Sequence, residues 1–169
     1  MNKNRLNEIE SHLELLYEQR REKEEAIIVA SRGDKTILKQ QLRLEILKPI
    51  RDYEQEYWQI VANQSNLAEI PEAEAEVVIA EFVEGVGQLQ GEKAAVIEYL
   101  QKILAKVEEP GPTAAAKFKT IISSIPPFIG ISYEAELDTE NFLNRYFPTF
   151  VSKVKSLKNM TGVQRLKKE

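Results

Sequence analysis

The sequence predicts a mainly α-helical protein: a long antiparallel helical hairpin of coiled-coil type, then a small C-terminal helical module with one short extended segment. Three observations carry this. Apolar residues recur in steps of three and four over residues 6–62, the spacing of one helix face. Gly and Pro number only seven each in 169 residues, while 30% of side chains are charged, a balance that favours helices over a strand-rich sandwich. Period-two alternation is convincing in one place only, Ile129 to Leu137.

The first hairpin helix spans about Asn4 to Ala30, with Leu6, Ile9, Leu13, Leu16, Arg20, Lys23 and Ile27 on its seam. Arg20 and Lys23 stand where a strict coiled coil has apolar groups, so their aliphatic stems must cover the partner while their heads reach water. Ser31-Arg32-Gly33-Asp34 is the turn, with Gly33 as its flexible residue and Asp34 as the N-cap of the next helix. A turn this short places the two helices side by side. The second helix carries Leu38, Leu42, Ile46, Pro49, Tyr53, Tyr57 and Ile60. Pro49 lacks the amide for the bond four residues back, and the unbroken phase beyond it predicts a kinked but continuous helix.

Charge divides the rest of the chain. Residues 1–63 are nearly balanced, residues 64–92 hold seven acidic and no basic side chains, and residues 148–169 hold six basic and one acidic. Solvated faces are the simplest account of such runs. The expected organisation is a hairpin over 1–63, an acidic linker with a short helix over 64–92, a helical module over 93–158 and a basic tail over 159–169. Within the module, helices are expected over 93–107 and 114–124, stopped by Pro110-Gly111-Pro112 and by Pro126-Pro127. The extended segment 129–137 follows, then a helix capped by Asp138, and Pro148 opens a basic amphipathic helix.

Chemistry is sparse. The chain has no cysteine, hence no disulfide, thiol nucleophile or thiolate metal site, in keeping with a cytoplasmic setting. No apolar run has the length of a membrane span, and no signal peptide is apparent. His12 is the one histidine, without a Ser and Asp to complete a triad. Gly33-Asp34-Lys35-Thr36 interrupts the Gly-Lys-Thr of a phosphate loop. Glu134, Glu136, Asp138 and Glu140 lack the spacing of a calcium loop and read better as a solvated edge and a helix cap. No catalytic, cofactor-binding or metal-binding residue is therefore expected. Nor is a nucleic-acid partner, since the basic tail has no aromatic platform beside it, and no small-molecule substrate is evident. The candidate partner-binding residues are Tyr53, Tyr57 and Trp58 in the hairpin, and Tyr133, Glu134, Glu136, Phe147 and Phe150 near the C-terminus. For the hairpin aromatics, a wider packing layer is the plainer account.

Two stretches carry a resemblance: Leu15-Leu16-Tyr17-Glu18 with Tyr53-Glu54-Gln55-Glu56-Tyr57-Trp58, and Ile125-Pro126-Pro127-Phe128-Ile129 with Ser132-Tyr133-Glu134-Ala135-Glu136-Leu137-Asp138-Thr139-Glu140 and Phe147-Pro148-Thr149-Phe150. Together they resemble small bacterial effector-associated modules, found alone or fused to NACHT-type signalling ATPases of conflict systems. The resemblance covers the two ends of the chain. It implies an adaptor that recruits protein partners or self-associates, and it carries over no catalytic residue and no nucleotide site. The expected function is thus a non-enzymatic protein–protein interaction module in bacterial signalling or defence. The rival is a membrane-active protein, with segments 113–131 and 148–158 inserting at an anionic surface.

Overall fold

A computed structural model describes residues 2–157 and is helical nearly throughout. In chain order the elements are α1 (Asn2–Val29), α2 (Arg32–Gln41), a π-helical segment (Leu42–Leu47), α3 (Lys48–Ser65), α4 (Glu72–Gly87), α5 (Ala94–Val107), α6 (Ala114–Glu134) and α7 (Thr139–Tyr146), then helical residues 148–157, designated α8. No strand occurs among the described residues. The basic tail 159–169 lies outside them. The chain forms two compact units, Met1–Tyr57 and Trp58–Glu169, so the division falls inside α3 rather than at its end.

The first unit is the hairpin. Its pairings run antiparallel: Arg5 meets Glu56, His12 meets Tyr53, and Lys23 meets Gln41. The turn is tighter than expected. Ser31, not Asp34, is the N-cap of α2: its hydroxyl accepts the Asp34 amide and donates to the Asp34 carboxylate at 2.9 Å. Asp34 therefore sits inside the first turn, where its charge suits the positive end of the helix. Gly33 is helical and does not make the turn.

Ahead of Pro49 the second helix widens. Leu42–Leu47 is π-helical, and the Lys48 amide donates to the Arg43 carbonyl, five residues back. Proline cannot donate to the carbonyl four residues before it, so a regular α-turn here would leave a carbonyl unpaired. The wider turn also holds Leu38, Leu42, Ile46 and Ile50 in one column, although steps of four drift around a regular α-helix. The helix is continuous through Pro49, as expected, and the π-turn is how.

The second unit is built on α6, which packs against α4, α5 and α7. Phe118, Ile121, Ile122, Ile125, Phe128 and Ile129 of α6 are buried, as are Val78, Phe82 and Val86 of α4 and Val96, Leu100, Ile103 and Val107 of α5. Within residues 64–92, expected as an acidic linker with a short helix, the helix is α4, and it packs into the core of the second unit. Its inner face carries Ala75, Val78, Phe82 and Val86, while Glu72, Glu74, Glu76 and Glu84 are exposed together with Val77 and Val83.

The extended segment 129–137 is a correction, as is the helix end at Ser124. Helix α6 runs unbroken to Glu134 through Pro126 and Pro127. The deciding period is visible in what is buried: Ile121, Ile122, Ile125, Phe128, Ile129 and Ser132 follow steps of three and four. The two prolines remove the helical donors to the Ile122 and Ser123 carbonyls. Next to this weak point the Tyr99 hydroxyl donates to the Ser124 carbonyl at 2.8 Å, tying α5 to the turn. The end of α6 is a Schellman motif. The Leu137 amide donates to Ser132 O at 2.9 Å and the Glu136 amide to Tyr133 O at 3.0 Å, with Glu136 at φ 60°.

Two glutamates of α4 act as caps in trans. Glu72 accepts the Ala114 and Ala115 amides at the start of α6, and Glu81 accepts the Thr149 and Phe150 amides at the start of α8. Each satisfies two orphan donors and places a negative charge at a positive helix end. The acidic character of α4 is thus partly structural.

Candidate functional site

The structure separates the residues nominated from the sequence. Trp58, Phe147 and Phe150 are buried. Trp58 stacks on Phe150 with centroids 5.8 Å apart, Phe118 meets Phe150 at 5.7 Å, and Phe82 stacks on Phe147 at 5.1 Å. These three rings are core, and their surfaces are already covered. Tyr53 is half-buried and stacks on His12 at 5.1 Å, which gives the lone histidine a packing partner. Tyr57 and Tyr133 are half-buried, while Glu134 and Glu136 are exposed at the end of α6. Tyr53 and Tyr57 belong to the first unit and the other six to the second.

Electrostatics in the hairpin centre on Arg5, whose guanidinium donates to the Glu56 carboxylate at 2.7 Å and to Glu8 at 3.0 Å. The hydrogen bond from Arg5 holds Glu56 below the ordinary carboxylate range. In the second unit the Ala115 and Ala114 amides hold Glu72 low in the same way. The Tyr146 hydroxyl, which donates to Glu92 at 2.8 Å, is pushed up chiefly by that bond. Among the described residues no group of three or more His, Cys, Asp or Glu side chains could hold a metal ion. Nor is any described helix long and apolar enough to cross a membrane.

The surface that does stand out was not nominated. None of residues 14–45 is buried, yet the stretch is rich in aliphatics. Leu15 is 59% exposed, Val29 85%, Ile37 56% and Leu44 62%. Written as heptads, Leu13, Arg20 and Ile27 occupy position a of α1, with Leu16 and Lys23 at d; Leu15, Glu22 and Val29 then fall at c. On the second helix Lys35 and Leu42 occupy a and Leu38 occupies d, which puts Ile37 and Leu44 at c as well.

In an antiparallel pair, like edges of the two helices face the same side. Contacts across the seam fit this frame: His12 and Gln41, both at position g, each touch the opposite helix through Tyr53 and Lys23. The two c stripes therefore share one broad face of the hairpin. Beside the four aliphatics that face carries Gln19, Glu22, Ala26, Asp34 and Gln41, and the Lys23 ammonium reaches its edge to donate to Gln41 at 3.2 Å. The sequence did hold a signal for it, in aliphatic residues placed next to seam positions, Ile37 and Leu44 seven apart and Leu15 and Val29 fourteen apart with Glu22 midway.

No protein-family model, no curated protein and no solved structure matches the chain.

Proposed function

We propose that this chain is a non-enzymatic protein–protein interaction module, an adaptor whose hairpin offers the broad face of Leu15, Val29, Ile37 and Leu44 to another protein. The observation that carries the reading is the exposure of those four aliphatics on one face. A buried aliphatic side chain contributes about 1.5–3 kcal/mol, and large aliphatics left exposed together on one face mark interaction sites. The resemblance to effector-associated modules points the same way and suggests a place in bacterial signalling or defence. Carboxylate chemistry has little support by comparison: Glu72 and Glu81 are engaged as helix caps, and Glu134 and Glu136 stand at a helix end.

The test is crosslinking capture with two baits, wild type and the double variant Val29→Glu/Ile37→Glu, together with the solution mass. Capture by the wild type and its loss with the variant supports the reading. A mass of one chain at every concentration, with nothing captured by either bait, defeats it.

A further inference from the structure

We infer that the other broad face of the hairpin, centred on Ile28, is a second binding surface, and that it seats the hairpin tip on an anionic lipid surface. This goes beyond the protein-binding reading, because it uses the opposite side of the hairpin and a different class of partner. In the heptad frame, positions b and e of the two helices share that side. Over residues 21–43 they hold Arg21, Arg32, Lys39 and Arg43, all exposed, and a single acid, Glu24, which accepts from Arg20 at 2.8 Å. Over the same stretch the first face carries Glu22 and Asp34, with only the Lys23 ammonium at its edge. Glu25 stands on the outer ridge between them. The two broad faces of the tip therefore differ in sign.

The pairs His12–Tyr53 and Lys23–Gln41 fix the levels: Arg21 lies across from Arg43, Ile28 across from Thr36, and Arg32 opens α2 at the turn. The cations thus flank Ile28, which is 74% exposed, along about 15 Å of hairpin. Toward the base the same side of α1 turns acidic at Glu14 and Glu10, which confines the attraction to the tip. A phosphate backbone would meet these cations but leave the aliphatic Ile28 without an apolar contact. The headgroup layer of a bilayer takes both, with the cations at the phosphates and Ile28 among the upper acyl carbons. The last turn of α1, Ala26-Ile27-Ile28-Val29-Ala30, carries no charge, so it enters that layer without desolvating an ion. Roughly four to eight Lys and Arg on an amphipathic helix is the pattern that holds anionic lipid, each cation improving binding about fivefold.

The test is sedimentation of the full chain with vesicles of mixed phosphatidylcholine and phosphatidylserine, against pure phosphatidylcholine. Binding to the mixed vesicles alone, weakening as salt rises, is expected. Arg32→Glu/Lys39→Glu should lower the partition by about 30-fold or more, and Ile28→Ser by about tenfold, with helical circular dichroism retained. Ile37→Ser, on the other face, should have no effect. Because the native chain has no cysteine, a fluorophore attached at Ile28→Cys reports the contact without a change of charge. Its emission should shift to the blue with the mixed vesicles, and that of a label at Ile37→Cys should not. This arm stands even if the charge-reversed variant unfolds. No sedimentation with the mixed vesicles at low salt overturns the inference, as does binding that a folded Arg32→Glu/Lys39→Glu chain retains in full. Tighter binding to a DNA duplex than to the vesicles, unaffected by Ile28→Ser, would give the face to nucleic acid and overturn it too. None of these outcomes touches the protein-binding face, which the capture experiment reads through Val29→Glu/Ile37→Glu.

Discussion

A β-carbon placed on Gly85 would lie 2.6 Å from Phe147 Cε1 and 2.8 Å from the Tyr146 carbonyl oxygen. Helix α4 thus touches the end of α7 with backbone, not side chain, and only glycine allows the approach. The carbonyl cannot swing away as a flexible side chain could. Gly85→Ala should destabilise the second unit by about 1–3 kcal/mol despite its better helix propensity. Gly87, two residues on, has nothing within 4 Å, and Gly87→Ala should be neutral or stabilising by up to about 1 kcal/mol. Paired urea melts of the two variants check the contrast. Equal midpoints would mean that α4 and α7 are not in this register.

The trans caps predict a pH response. Glu72 is held low by two amides, so its carboxylate favours the folded state wherever it is ionised. The contribution is fully present above the ordinary glutamate value, roughly 4.3, and is lost as pH falls through the lower folded value. Glu72→Gln should therefore lower the melting temperature at pH 6 and flatten its dependence on pH below about 4.5. Glu81→Ala, which strips both donors at the start of α8, should cost about 1–2 kcal/mol. Thermal melts from pH 3 to pH 7 separate the two effects. A Glu72→Gln profile parallel to wild type would count against the cap.

The hairpin was legible because its seam repeats over six turns and a turn motif divides it. Ser31 lost its cap role to Asp34 in the sequence because both residues are good caps three positions apart, and only geometry decides between them. The π-turn left a trace in Leu38, Leu42, Ile46 and Ile50, where steps of four run on too long for one α-helical face. Helix α6 was misread for a physical reason. Two successive prolines ordinarily end a helix, and the residues after them alternate as a strand does. Packing on α4 and α5 overrode local preference, since Ile125, Phe128 and Ile129 gain more by burial than the prolines cost. The aromatic nominees Trp58, Phe147 and Phe150 lie buried, and a large ring reads the same in sequence whether it fills a core or faces a partner.

Ser132 and Thr139 are both buried, and their hydroxyls lie 2.6 Å apart. The pair closes the corner between α6 and α7, where the Leu137 amide also bonds to Ser132 O. Ser132→Ala leaves the Thr139 hydroxyl without that partner in the interior and should cost about 1–3 kcal/mol. Thr139→Val should cost a similar amount. The double variant should cost less than the two combined, by about 0.5 kcal/mol or more, because neither polar group then remains unmatched. Four denaturation curves complete the cycle. Additive costs would show that the hydroxyls do not depend on each other.

Glu136 is the one described non-glycine residue with positive φ, at 60°. It occupies the position of the Schellman motif where glycine is usual, because a β-carbon crowds the neighbouring carbonyl there. Left-handed geometry costs an ordinary residue roughly 1 kcal/mol. Glu136→Gly removes that strain without disturbing the amides that donate to Tyr133 O and Ser132 O. Glycine is also more flexible in the unfolded chain, which offsets part of the gain. The expected net result is a stabilisation of about 0.5–1 kcal/mol, read as an upward shift in the urea midpoint. Glu136→Val, with a branched β-carbon, should shift it the other way. If both variants moved the midpoint in the same direction, backbone strain would not be the cause, and the corner between α6 and α7 would owe its stability to the Glu136 side chain instead.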